Sequence, residues 1–123
     1  MSNTETLSTV GIVAEFDPFH SGHAYLLRQA RQVTGCGRVA VIMSGCFTQR
    51  GAPALLEPHV RARMALLNGA DLVAALPAVW SLRDAEHFAL GAVASLQLMG
   101  CESLCFGSES GDIGLIRRTA LAL

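Results

Sequence analysis

The amino-acid sequence predicts an α/β domain of Rossmann-like type, a parallel sheet with helices on both faces. Three observations predict it. Short, continuous apolar runs recur along the chain, such as VGIVA at 10–14 and VAVIM at 39–43. Strands without polar alternation are strands buried on both faces. Between these runs lie segments whose apolar residues recur at helical spacing. The two kinds alternate as β-α-β-α-β-α-β-α, an order that calls for parallel neighbours joined by right-handed crossovers.

Taken in order, the first strand is expected over 10–14 and is followed by the loop EFDPFHSGH at 15–23, punctuated by Pro18 and Gly22. A helix from Gly22 to Thr34 should bury Ala24, Leu27, Ala30 and Val33, and Gly35 and Gly37 should end it. The second strand is 39–43, with a polar loop at 44–53. Pro58 opens the next helix in its first turn, where a missing N–H costs little. Val60, Met64 and Leu67 share one face of that helix, its charged residues Glu57, His59, Arg61 and Arg63 face solvent, and Asn68-Gly69 ends it. The third strand is 71–76, stopped by Pro77. A long helix over 83–99, a short strand over 103–106, a turn over 107–111 and a helix from Asp112 complete the pattern. Ligands of such sheets bind at the carboxyl ends of the strands. That edge gathers the loops 15–23, 44–53 and 107–111, with 77–82 as a further contributor.

The chain has 123 residues, 51% apolar and 15% charged. That is enough for one domain with a real core and too apolar for disorder. Residues 1–9 read as a polar tail and 10–123 as the domain, which is expected to be truncated, because the sequence stops at RRTALAL inside a helical pattern. The formal net charge of −1 supplies no basic field for a polyanion. All 9 cationic side chains are arginines, so any phosphate must be met by arginine, histidine or backbone N–H groups. Cys36, Cys46, Cys101 and Cys105 form no C-x-x-C pair and no zinc pattern. Free, mostly buried thiols of a reducing compartment are expected. No run reaches the ~18 apolar residues of a membrane span, and the polar start carries no secretory signature. A soluble, cytoplasmic protein is expected.

The sharpest chemical feature is His20-Ser21-Gly22-His23, placed after the first strand and at the start of the first helix. Histidines three apart at a helix start face the same side. They join the free N–H groups and the positive end of the helix dipole, an anion site. Gly22 permits close approach of a flat ring or a phosphate to the backbone. Imidazole donors there can stabilise charge that builds on a leaving pyrophosphate. Two ordinary capping histidines are the plain reading of the same four residues. A metal site would need Asp17 or Glu15 as third ligand, and the helix start favours anions over cations.

Arg50, in the exit loop of the second strand, is a candidate grip on phosphate or carboxylate, since arginine pairs bidentately with both. Gly107, followed by Ser108 and Glu109, permits close approach to a base or ribose. Asp84 and Glu86 suit the start of the long helix. His87 reads as structural, and Trp80 and Phe88 as packing anchors.

The stretches GIVAEFDPFHSGHAYLL, VAVIMSGCFTQRGAPALLEPHVRARMALLNGADLVAALP, AEHFALGAVASLQ and ESLCFGSESGDI cover most of residues 10–113. Together they resemble the bacterial tRNA(Met) cytidine acetate ligase family, of the H-x-G-H nucleotidyltransferase superfamily. H-x-G-H is widespread, whereas MSGCFTQRGAPA with NGADLVAALP and CFGSE is specific to that family. The resemblance implies a reaction. ATP activates acetate as acetyl-adenylate with release of pyrophosphate, and the acetyl group passes to N4 of the wobble cytidine of elongator tRNA(Met), giving N4-acetylcytidine. It implies His20 and His23 as the catalytic pair. It places the ATP-binding loop on Val13, Ala14, Glu15, Phe16, Asp17, Pro18, Phe19, His20, Ser21, Gly22, His23, Ala24, Tyr25 and Leu26, with a second contact at Gly107. Mg2+ is expected to accompany ATP and neutralise phosphate charge; no resident protein metal is expected.

Two features depart from the family. Asp17 stands where the family usually has Asn, a carboxylate that magnesium or an arginine must offset beside phosphates. The same DPFHSGH run resembles nicotinate mononucleotide adenylyltransferases, which makes that activity the alternative. Family members are also much longer, and their tRNA-binding region has no counterpart here, so a non-catalytic nucleotide-binding remnant is the third possibility.

Overall fold

The computed structural model describes residues 7–123. Its elements follow the expected order: β1 (Thr9–Ala14), α1 (Ser21–Thr34), β2 (Arg38–Ser44), α2 (Pro58–Leu67), β3 (Leu72–Leu76), α3 (Ala78–Ser81), α4 (Ala85–Leu98), β4 (Ser103–Leu104) and α5 (Ile113–Ala122). The four strands form one sheet in the order β3-β2-β1-β4. Every pairing is parallel, so the Rossmann-like α/β fold holds. The first six residues of the expected tail lie outside the described part, and β1 starts at Thr9 within the rest of it.

The continuous apolar strands are continuous because both faces are covered. Val39, Val41 and Met43 of β2 pack with Val10 and Ile12 of β1 against Leu27, Ala30 and Ala65. The intervening Ala40 and Ile42 pack against Phe88, Ala92 and Leu96 of α4. Helices α1 and α2 therefore cover one face, and α4 the other. Gly11 in β1 makes the second layer close, since a Cβ there would stand 2.8 Å from Leu96 Cδ1.

Several expectations need correction. In α1, Ala24, Leu27 and Ala30 are buried, but Val33 is 76% exposed. Steps of three residues fall short of a full turn by about 60° each, so the stripe has rotated to solvent by Val33. In α2 the buried face is Arg61 and Ala65, while Leu67 is 76% exposed. The helix is turned so that a charged residue expected in solvent is fully buried. The loop 77–82 forms the short helix α3, and the fourth strand pairs over only two residues. Among the thiols Cys36 is buried, Cys101 and Cys105 are half-buried, and Cys46 is exposed. No helix among the described residues is long and apolar enough to cross a membrane.

Candidate active site

The carboxyl ends of β1 and β2 point the loops 15–20 and 45–57 to one edge of the sheet. His20 is the N-cap of α1. Its Nδ1 accepts the Gly22 N–H at 3.1 Å. His23, one turn on, returns the contact, its Nδ1 accepting the His20 N–H at 3.2 Å. The rings stack with centroids 3.7 Å apart. The capping and anion-site readings thus describe the same pair. With Nδ1 committed as acceptor, each neutral imidazole carries its proton on Nε2, which remains the donor for a ligand. Burial first, and His20 second, push the His23 pKa below its ordinary value, so His23 is neutral near pH 7.

The backbone plays a smaller part than expected. The Gly22 N–H is taken by His20 Nδ1, and those of His23 and Ala24 bond to the His20 carbonyl at 3.0 and 3.2 Å. These three helix N–H groups are therefore not free for an anion, and the imidazole Nε2 donors are the groups left. Gly22 does admit a flat ring against the backbone, but it is the ring of His20. A Cβ at residue 22 would stand 2.9 Å from His20 Cε1.

His23 is seated on aromatic rings. Phe16 meets it edge-on at 4.9 Å and Phe19 lies at 5.6 Å. Phe16 is buried in the core and adopts φ 54°. That left-handed backbone is costly for a bulky side chain, on the order of 1–3 kcal/mol. It turns the chain sharply after β1 and directs the ring inward beneath His23.

The stacked histidines separate two lobes of a cleft. A polar lobe of about 410 Å³ is lined by Glu15, Phe16, Asp17, Pro18, Thr48 and Arg50 together with both histidines. A more apolar lobe of about 720 Å³ is lined by Gly22, Tyr25, Leu26, Phe106, Gly107 and Ser108, again with both histidines. Their sizes suit small-molecule recognition. Arg50 and Gly107, expected from two different loops, thus stand on either side of one histidine pair. Ala24 packs into the core, and Val13, Ala14 and Phe19 pack against it. None of these four lines a lobe, and neither does the exposed Ser21. The segment 77–82 also contributes nothing to either lobe. His87 binds both carboxylate oxygens of Asp84 at 2.8 Å, away from the cleft.

The polar lobe is held by a network that sequence reasoning missed. Arg61 is 0% exposed. Its Nη1 donates to the Glu15 carbonyl at 2.6 Å and the Ser44 carbonyl at 3.1 Å. Nε donates to the Leu56 carbonyl at 2.9 Å, and Nη2 to the Gly45 carbonyl. Glu15 in turn accepts the Gln49 N–H at 3.3 Å and the Ser44 hydroxyl at 3.3 Å. Asp17 Oδ1 accepts the N–H groups of Leu55 at 2.8 Å and Leu56 at 3.3 Å. Asp17 is therefore a loop anchor, and an Asn would offer the same acceptor. The loop itself is pinched by Thr48 N–H to the Ala52 carbonyl at 2.8 Å, with Gly51 at φ 85° making the turn that presents Arg50. A small-residue stripe, Ala62 and Ala65 beside Arg61, is the signal that could have identified the buried face of α2.

Among the described residues no group of three or more His, Cys, Asp or Glu side chains could hold a metal. Glu15 and Asp17 line the polar lobe, but both already accept backbone N–H groups. These side chains do not make a metal cage.

A parallel sheet with paired histidines at the β1–α1 junction and a two-lobed cleft defines a Rossmann-like α/β domain. The chain belongs to the HIGH nucleotidyl transferase family, which matches residues 7–123. It is 48% identical over 117 residues to the tRNA(Met) cytidine acetate ligase of Syntrophotalea carbinolica, covering 95% of this chain and 28% of that protein. The corresponding ligase of Anoxybacillus flavithermus is 49% identical over 117 residues, covering 95% of this chain and 29% of that protein. The crystal structure of Thermotoga maritima TmcAL bound with alpha-thio ATP superposes with a TM-score of 0.87 at 41% identity, over 94% of this chain and 28% of that one. Its apo form gives 0.86 at 42%, over 94% and 27%. The resemblance carried by the sequence motifs is borne out. The chain spans under a third of the length of these relatives.

Proposed function

We propose that this chain carries the ATP-binding, acetate-activating part of a tRNA(Met) cytidine acetate ligase and acts in the cytoplasm. The observation that carries the reading is the His20–His23 stack, with Nδ1 of both rings committed to the α1 cap, at the junction of the two lobes. The apolar lobe, with Gly107, Phe106 and Tyr25, receives the nucleoside of ATP. The triphosphate crosses the histidines, whose Nε2–H groups donate to it. The residues expected to bind ATP act by two routes. Those of 15–26 that face the cleft touch the nucleotide, and Val13, Ala14, Phe19 and Ala24 hold the loop from beneath. Mg2+ enters with ATP, held by the nucleotide's own phosphates.

In the reaction an acetate oxygen attacks the α-phosphorus, and the bond to the bridging oxygen breaks to release pyrophosphate. Negative charge grows on the leaving group, where His20 and His23 stabilise it without transferring a proton. Arg50 holds an anion in the polar lobe, phosphate or acetate. In the second half-reaction the N4 amine of the wobble cytidine of elongator tRNA(Met) attacks the acetyl carbon, AMP leaves, and a proton is lost from N4. The likeness to ligases supports this assignment, and the geometry of the cleft supports the first half-reaction.

The test is pyrophosphate exchange into ATP with the chain as it stands, with and without acetate. Exchange that requires acetate is expected. No exchange from a folded chain would overturn the assignment of acetyl-adenylate formation to these residues. Exchange driven by a mononucleotide in place of acetate would overturn the choice of acceptor.

A further inference from the structure

Arg61 lines neither lobe, yet its guanidinium joins the ends of the two strands whose loops build the polar one. It donates to carbonyls at the end of β1 (Glu15), the end of β2 (Ser44 and Gly45) and the approach to α2 (Leu56). Each of those segments then holds part of the lobe. The Glu15 carboxylate fixes the Gln49 N–H, next to Arg50. Leu56, bound through its carbonyl to Arg61, is bound through its N–H to Asp17. Among the described residues no carboxylate pairs with Arg61. Its charge is met by backbone carbonyl dipoles, and its planar fork spreads five donors over three nitrogens, where an ammonium has three donors on one.

We infer that Arg61 is a positioning residue. It sets the separation between the β1 loop that carries Asp17 and His20 and the β2 loop that carries Thr48 and Arg50. It thereby sets the grip on an anion that it never touches. The functional consequence rests on the proposed nucleotide-binding role of the cleft. The structural linkage does not.

The test compares Arg61→Lys with Arg31→Ala in the full chain. Arg31 is a control of similar kind: it donates to the Gly69 carbonyl at 3.0 Å and to Asp71 at 2.7 Å, before β3, and to the Gly37 carbonyl, before β2. That is the opposite end of the sheet. Three readouts are used: amide signals in a two-dimensional nitrogen–proton spectrum, melting temperature, and ATP affinity by calorimetry. Arg61→Lys is expected to move the amides of Thr48, Gln49, Leu55 and Leu56 together and to weaken ATP binding about tenfold or more. Arg31→Ala is expected to lower the melting temperature while those amides and the ATP affinity stay put. Unchanged Thr48 and Gln49 amides in Arg61→Lys would overturn the inference, and so would equal ATP losses in both variants at equal melting temperature. If the unaltered chain binds no ATP, the nucleotide reading fails and the amide comparison still decides the linkage. Should Arg61→Lys not fold, Ser44→Ala cuts the same network more gently. It removes the hydroxyl that lies 3.4 Å from Arg61 Nη1 and 3.3 Å from Glu15. A Leu56 amide that moves in Ser44→Ala supports the linkage, since Arg61 is what joins the two, and one that does not overturns it.

Discussion

His20 and His23 cap one helix together: the His20 backbone N–H bonds to His23 Nδ1 at 3.2 Å while His20 Nδ1 takes the Gly22 N–H at 3.1 Å. Each ring therefore has a folding task on one nitrogen and a free donor on the other.

The two tasks separate by substitution. Asn is as good an N-cap as any residue, so His20→Asn is expected to keep the melting temperature within the change produced by about 0.5 kcal/mol. His20→Ala is expected to cost about 1 kcal/mol. Both lack the Nε2 donor, and both are expected to lose about 10²-fold or more in pyrophosphate exchange. Thermal melts beside exchange rates check this. Exchange retained by His20→Asn would remove His20 from the chemistry.

Acid is expected to destabilise the fold through His23. Its pKa is lowered in the folded chain, by burial first and by His20 second. Below the unfolded value of about 6.5 the unfolded chain takes up a proton that the folded chain declines. Stability is thus full above that value and falls as the pH drops from it toward the lowered folded value. Melting temperatures from pH 8 down to 5 measure the slope, and His23→Asn is expected to flatten it.

Two glycines are expected to respond in opposite ways. At Gly22 a Cβ collides with His20 Cε1 at 2.9 Å, whereas at Gly107 nothing lies within 4 Å. Gly22→Ala is expected to tilt the His20 ring and cut exchange about tenfold or more, even though Ala is the better helix former by about 1 kcal/mol. Gly107→Ala is expected to leave the melting temperature unchanged and to weaken ATP binding by filling the cleft. Calorimetry on both variants separates a misplaced wall from a blocked floor.

Asp17 binds the Leu55 and Leu56 N–H groups through one oxygen. Asp17→Asn is expected to preserve that anchor and the stability, and to strengthen ATP binding at low magnesium by removing a negative charge beside the phosphates. Asp17→Ala removes the acceptor of both N–H groups, one exposed and one part-buried, and is expected to cost about 1 kcal/mol. Equal stability of Asp17→Ala and the unaltered chain, in a denaturant titration, would contradict the anchor.

The layers of the sheet were legible because an apolar run such as 39–43 has one explanation, burial on both faces. The loops that form the cleft were legible from strand order, and His20, His23, Arg50 and Gly107 do converge. The orientation of α2 was not. Pattern reading assigns arginine to solvent, and only the carbonyl acceptors, three at the strand ends and one before α2, reveal why Arg61 goes inside. Phe16 was read only as part of a binding loop; it does line the polar lobe, but φ 54° also turns its side chain into the core. A backbone reversal of that kind leaves no periodic trace. Val33 failed for a simpler reason, the drift of a three-residue spacing around the helix.

Placing a guanidinium at the centre of this scaffold has a consequence for how the cleft meets changing acidity. A guanidinium keeps its proton throughout the range in which proteins stay folded. The carbonyl links that Arg61 makes between the strand ends therefore persist through the range in which His23 takes up a proton. Protonation of His23 Nδ1 removes the acceptor of the His20 N–H and so loosens the α1 cap, but leaves those carbonyl links as they were. The joining of the strand ends and the capping of α1 are thus assigned to different functional groups, so the second can be tuned by the surroundings without disturbing the first.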